Sequence, residues 1–247
     1  IRMTQEILET LRDDEQYYGE FGKQFLSNSD IKKLLENPAM FGVSTPPTLD
    51  MLKGSYMHHA VLEPEKLASY VTIDSTTRYT KKYKEAVADM GVDILLLTPE
   101  REELDVMAHK IKENFRFSSE IYADGNEFEV PAVKKIFNHM WKGKADVVCA
   151  DKLIDLKTTS RLSEFKYSAN RYNYDSQSWL YNQFFGKPLE FYVIEKGSHR
   201  LEVFTCSEAF LERGREKVIH ALEVYKKFFG ENPTDDISQY VAESVLY

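Results

Sequence analysis

Two cysteines in 247 residues, Cys149 and Cys206, set the first limits. A cysteine-ligated iron–sulfur cluster takes four thiolates, so this chain cannot supply one. Both cysteines sit in apolar, strand-like contexts and are expected as reduced, buried thiols rather than as a disulfide framework. No run of about 18 apolar residues occurs, so no membrane-spanning helix and no membrane partner are expected. The opening segment IRMTQEILETLRDDEQ is acidic and amphipathic and lacks the apolar stretch of a secretion signal. These absences together give the expectation of a cytoplasmic protein. Internal repeats and low-complexity tracts are also missing. Basic excess is missing too: 32 Lys and Arg stand against 40 Asp and Glu, a net charge of −8 that argues against an indiscriminate nucleic-acid binder.

What remains is an ordinary globular composition, 43% hydrophobic and 29% charged, with enough length to bury a core as one domain. Its charge is uneven. Val130 to Tyr172 holds nine Lys or Arg and four acids, a local +5 that leaves −13 for the rest. A phosphate backbone requires such a concentration.

The same region contains KADVVCADKLIDLKTTS. Val147, Val148 and Cys149 form one apolar run, Leu153 and Ile154 another, and Asp151 and Lys152 make the polar turn between them. Strand side chains alternate, so Asp155 and Lys157 share one face while Ile154 and Leu156 face the opposite layer. If the two runs pair as a hairpin, Asp146 lies beside Asp155, and two carboxylates and an ammonium converge. Carboxylates with water and phosphate oxygens suit Mg²⁺ or Mn²⁺, and a nearby Lys can orient a water; this is the equipment of metal-assisted phosphodiester hydrolysis. A surface hairpin with a salt bridge is the alternative for such a pattern in isolation.

Periodicity and capping signals predict an α/β order with a mixed central sheet flanked by helices. Helices are expected over residues 4–11, 30–36 with Ser29 as cap, 49–62 with Thr48 as cap, 80–90, and from Thr98 to about Phe115 with Pro99 in the first turn. Strands are expected over 70–73 and 94–97, then consecutively over 128–130, 133–141, 144–149 and 152–157. Helices follow over 162–170 and 175–185, then a hairpin of 190–195 and 201–205, and a long helix over 207–229. On the helix of 49–62, His58 shares a face with Leu62, and Gly54 one turn earlier leaves room for close approach.

Other segments extend the D…DxK pattern. Gly54 and His58, followed by Leu62-Glu63-Pro64, resemble the G-x-x-x-H…L-E-P signature of the RecE (exonuclease VIII) branch of the PD-(D/E)XK nucleases. Ser27 to Lys32 with Pro38 and Phe41 is similar to that branch's entry segment. Tyr174, Gln177 and Tyr181 are similar to the Y-x-x-Q-x-x-x-Y motif of RecB-like nucleases, and the elements stand in the family's order. The resemblance implies a restriction-endonuclease-like α/β core over one nuclease domain of 1–247: a helical segment with the His motif (1–65), the sheet core (66–206), and a C-terminal helix and tail (207–247). With two cysteines, the iron–sulfur members of the superfamily are poor matches.

The resemblance implies catalytic roles for Lys157, Asp155, Asp146 and Gln177. It implies a site for two Mg²⁺ or Mn²⁺ ions held by His58, Asp146, Asp155, the Leu156 carbonyl and Glu129, with Glu127 competing for the last place. Lys144 stands where relatives carry Arg, and Ala145 replaces their Pro, which leaves the phosphate contacts open. Lys144, Arg161, Lys166, Arg171 and Tyr181 are the candidates for contact with DNA. The implied activity is a DNA exonuclease of the RecE and lambda-exonuclease type, phage-borne or phage-derived, working 5′ to 3′ on linear duplex. A single-strand annealing protein and a ring-shaped homo-oligomer are the implied partners. A structure- or single-strand-specific endonuclease, and a non-catalytic DNA-end-binding protein, are the alternatives.

Overall fold

A computed structural model describes residues 2–243. The helices are α1 (Arg2–Arg12), α2 (Asp14–Tyr18), α3 (Asn28–Glu36), α4 (Leu49–Leu62), α5 (Lys81–Met90), α6 (Thr98–Glu113), α7 (Phe115–Ile121), α8 (Phe165–Arg171), α9 (Tyr174–Phe185) and α10 (Glu208–Phe229). The strands are β1 (Thr72–Ile73), β2 (Leu96–Leu97), β3 (Glu127–Ile136), β4 (His139–Val148), β5 (Leu153–Thr159), β6 (Leu189–Glu195) and β7 (Leu201–Thr205).

Short polar side chains start several helices by taking an orphan amide of the first turn. Thr48 accepts from the Met51 amide at 3.2 Å, Thr80 from Tyr83 at 3.2 Å, and Ser207 from Phe210 at 3.2 Å. At α3 the cap is Ser27 rather than the expected Ser29: the Ser27 amide donates to Asp30 Oδ2 at 2.8 Å, so the helix begins earlier.

The main sheet has the order β3-β4-β5-β6-β7, with β5 and β6 parallel and the other pairs antiparallel. The parallel pair needs a crossover, which α8 and α9 supply. Alternation divides the strands between two cores as the sequence implied. Leu153, Phe191 and Val193 pack with residues of α3, α9 and α10, while Ile154, Leu156, Tyr192 and Ile194 pack with α4, α6 and α7. The strands β1 and β2 form a small parallel sheet beside α5, around Tyr83, Leu95 and Leu97. Among the described residues no helix is long and apolar enough to cross a membrane.

Residues 133–141 are not one strand. Phe137 and Asn138 both take positive φ, 47° and 68°, and turn β3 back into β4. Two such residues in succession match the twist of a tight hairpin. The turn residues interrupt neither the alternation nor the apolar content, which is why the pattern runs across them. The five-residue α2 was not expected at all; it is too short for a periodic face.

Helix α10 is fastened to α9 by close approach and by charge. A Cβ at Gly214 would lie 2.1 Å from the Asp175 carbonyl oxygen. The fully buried Asp175 carboxylate accepts from Arg213 at 2.7 Å and Lys217 at 2.9 Å. A buried carboxylate is tolerated only when paired in this way. The consequence is a fixed α9 over the sheet.

Candidate active site

The site is built where strands part. β4 and β5 pair at Val147–Ile154 and Val148–Leu153 and no further. Continued by one step, that register sets Asp146 opposite Asp155, at the point where the two strands diverge. The Leu156 amide, left without a strand partner on this side, donates to Asp146 Oδ2 at 2.7 Å. A side chain thus replaces a missing ladder bond. On the other flank, β3 pairs with β4 at Phe128–Val147 and Val130–Ala145, which places Glu129 opposite Asp146. Glu129 takes a φ of 49° that interrupts pairing at this position. Glu129, Asp146 and Asp155 therefore lie in a row across three strands, while Glu127 is exposed at the start of β3.

Helix α4 brings His58 to this row. Its Nε2 lies 3.0 Å from Asp146 Oδ2 and 2.9 Å from the Leu156 carbonyl oxygen. Gly54 contributes differently from its expected packing role: a Cβ there would meet no atom within 4 Å, and the residue lines an open cleft. Asp155, 2% exposed, accepts from Gln177 Nε2 at 2.6 Å through one oxygen and faces Lys157 Nζ at 2.6 Å through the other. The Lys157 ammonium also stands over the Tyr174 ring, 4.8 Å from its centroid.

These separations suit a divalent ion. An octahedral ion with bonds of about 2.1 Å has neighbouring ligands about 3.0 Å apart, close to the two distances His58 makes. Carboxylate, carbonyl and imidazole together are donors for Mn²⁺ as well as Mg²⁺.

The sequence matches the PDDEXK-like domain of unknown function DUF3799 over residues 27–235. The chain belongs to this family. Its fold is that of the PD-(D/E)XK core. The crystal structure of a "Putative exonuclease" from Eubacterium rectale is similar, with a TM-score of 0.67 at 14% identity over 95% of this chain and 96% of that one. The crystal structure of SSO0001 aligns over 89% of this chain and 86% of that one, at 14% identity and a TM-score of only 0.36. No curated protein matches the chain.

Electrostatics separate the acids of this PD-(D/E)XK site. Burial works against charge on Asp146, but His58, Lys157 and the Leu156 amide outweigh it and hold its carboxyl below the usual range. Burial raises Asp155, and Lys157 only partly offsets it. Burial, with the Asp146 carboxylate beside it, pushes Glu129 up to about 8. Burial opposes the His58 imidazolium, yet Asp146 more than compensates and the group reaches about 9. A divalent ion bound here would take the place of the proton that Asp146 holds on His58.

The candidates for phosphate contact divide. Arg161 and Arg171 are exposed and line a cleft of about 840 Å³ that opens beside His58 and Lys157; Lys166 is exposed but outside that lining. Lys144 and Tyr181 correct the expectation. Lys144 is 8% exposed, and its ammonium pairs with Asp14 at 2.8 Å and donates to the Arg12 carbonyl. Tyr181 is also buried, its hydroxyl donating to the Lys144 carbonyl at 2.9 Å. Both fasten the sheet to its neighbours instead of facing solvent. The reason lies in α2, which covers β4: Lys142 donates to the Tyr17 carbonyl, and both lysines sit against the Tyr17 ring.

A second group of potential ligands, Asp14, His59 and Glu63, was missed by sequence reasoning because α2 brings Asp14 from far along the chain. Its charges are already matched, since Lys66 reaches Asp14 at 2.9 Å and Glu63 at 2.8 Å. The group braces α2 against α4 next to His58.

Proposed function

We propose that this chain is a divalent-metal-dependent deoxyribonuclease, acting as an exonuclease on the ends of linear duplex DNA, 5′ to 3′, in phage-type recombination or DNA processing. The observation that carries the reading is the convergence of His58, Asp146, Asp155 and Lys157 at the fork between β4 and β5. Membership of a PDDEXK-like family supports it, as does the likeness in fold to a protein described as a "Putative exonuclease".

His58, Asp146 and the Leu156 carbonyl would hold the metal, with Asp155 and Glu129 adding the negative charge for a second ion. Mg²⁺ or Mn²⁺ held there supplies charge to the phosphate oxygens and a more acidic water. The rest falls to the protein. Lys157 orients the attacking water and the scissile phosphate, and the Tyr174 ring keeps its ammonium aimed. Gln177 fixes the Asp155 rotamer through its amide. Arg161 and Arg171 meet the backbone along the cleft. DNA is the partner on this reading; an annealing protein and a ring of subunits would complete the pathway.

The deciding experiment incubates linear duplex with Mg²⁺ or Mn²⁺ and compares wild type with Asp155→Ala and Lys157→Ala. Product from wild type alone supports hydrolysis at this site, and equal product from all three removes it. Cutting of circular single-stranded DNA would replace the exonuclease with an endonuclease on the same residues. An inactive wild type that still binds duplex ends would leave a non-catalytic end-binding protein.

A further inference from the structure

We propose that Tyr172 is a stacking platform for an unpaired base, so that the strand entering the cleft is single-stranded where it passes this ring. This rests on the nuclease reading and deepens it.

The ring lines the cleft beside the metal-binding row and is 49% exposed, so a large part of it is open to a ligand. Lys32 from α3 and Arg171 flank it, each 5.9 Å from its centroid. At the outer limit of cation–π range, neither is committed to the ring. The cleft's acids Asp50 and Glu164 are already matched, by Lys196 at 3.4 Å and Arg161 at 3.0 Å. Among the described residues Lys32 and Arg171 have no such carboxylate partner. An exposed ring between two uncompensated cations is the arrangement that holds a base by its face and the adjoining phosphates by charge.

The backbone that carries the ring is also held in place. Between α8 and α9 the chain turns at Asn173, in the left-handed region with φ 57° and ψ 39°. Two donors fix its carbonyl, Asn28 Nδ2 at 3.1 Å and the Gln177 backbone N–H at 3.1 Å, and the Ser176 hydroxyl lies 3.0 Å from it while donating to Asn28 Oδ1 at 2.6 Å. Lys217 binds its side-chain oxygen at 2.9 Å. A corner determined so many times over sets the Tyr172 backbone at one position relative to Gln177, and so to Asp155. Pre-set aromatic surfaces bind with little ordering cost. A base in the interior of a duplex is covered on both faces by its neighbours, so away from the terminal pair the ring can take only an unpaired strand.

The experiment measures binding of a fluorescein-labelled oligothymidylate by anisotropy, with Ca²⁺ in place of Mg²⁺ and the oligonucleotide shown to remain intact. Tyr172→Ala should weaken binding by roughly tenfold, the scale of one lost base stack. Tyr172→Phe should bind like wild type. Tyr167→Ala should also be silent, because Tyr167 is 79% exposed but lies outside the cleft lining. An abasic residue walked along the oligonucleotide should cost wild type the same factor at one position, a readout that needs only a folded wild type, and should cost Tyr172→Ala nothing there. Binding by Tyr172→Ala equal to wild type, or an abasic walk with no sensitive position, overturns the platform and leaves the nuclease reading intact. Failure of wild type to bind any DNA overturns both.

Discussion

Gln177 donates to Asp155 across the interface between helix α9 and strand β5, at 2.6 Å, while Lys157 occupies the other oxygen of the same carboxylate. The acid is thus held from both sides, by an amide on a helix and an ammonium on its own strand. Removing the amide leaves Asp155 free to rotate toward Lys157. Gln177→Ala should lower cleavage by about 10- to 100-fold, the usual cost of losing a partner that orients a ligand. Stability should fall by about 1–3 kcal/mol as well, because a buried carboxylate oxygen loses its donor. Rates of linear-duplex degradation across a metal titration check this, and full activity at every metal concentration would show that Asp155 needs no support.

His58 should be read out by metal binding rather than turnover. Titration calorimetry without DNA should show His58→Ala losing more affinity for Mn²⁺ than for Mg²⁺, since imidazole suits the transition metal better. The Mn²⁺ loss should be about 10- to 100-fold. Equal losses for the two ions would count against direct ligation.

Lys144 and Arg171 should separate under salt. Arg171→Ala should reduce the slope of log affinity for DNA against log salt by about 1, as one lost phosphate contact does. Lys144→Ala should leave that slope unchanged and lower stability by about 1 kcal/mol, because its partner Asp14 is half-exposed and keeps Lys66 at 2.9 Å. A reduced slope for Lys144→Ala would restore the surface role the sequence suggested.

Gly214→Ala sets a Cβ 2.1 Å from the Asp175 carbonyl, where neither backbone can yield easily. Overpacking of this kind costs about 1–3 kcal/mol, or roughly 2–12 °C in a chain of this size. Scanning calorimetry gives the shift, and an unchanged midpoint would mean that α10 can slide on α9.

Acid stability should depend on Glu120. Burial tends to raise its carboxyl, but hydrogen bonds from Lys152, the Tyr192 hydroxyl and Arg116 hold it down to about 2. Its folded value lies below the unfolded one near 4.5, so the unfolded chain binds more protons between them. The contribution is therefore complete above about 4.5 and lost as pH falls toward about 2. Urea midpoints of wild type and Glu120→Gln should differ most near neutrality, draw together below about pH 4.5 and converge only near pH 2.

Much of the fold was legible because local signals agree with it. Thr48, Thr80 and Ser207 announce their helices, and the alternation through Leu153 to Lys157 divides the strand between two cores. The pairing of Asp146 with Asp155 followed from the same period. Lys144 was misread because sequence shows a charge but not what covers it, and α2 arrives from 130 residues away. Glu127 and Glu129 share a face by alternation, so only the left-handed backbone at Glu129 distinguishes them. The turn at Phe137 and Asn138 hid inside an unbroken pattern.

The Asn173 corner has a further consequence for how this protein can vary. One rigid elbow aims a solvent-facing ring in one direction and the amide that steadies Asp155 in the other. Lengthening the chain there by a single residue would throw both out of alignment together. Relatives that keep the chemistry should differ in length elsewhere, in surface loops such as 74–80 or 123–126, and hold this bend to the residue.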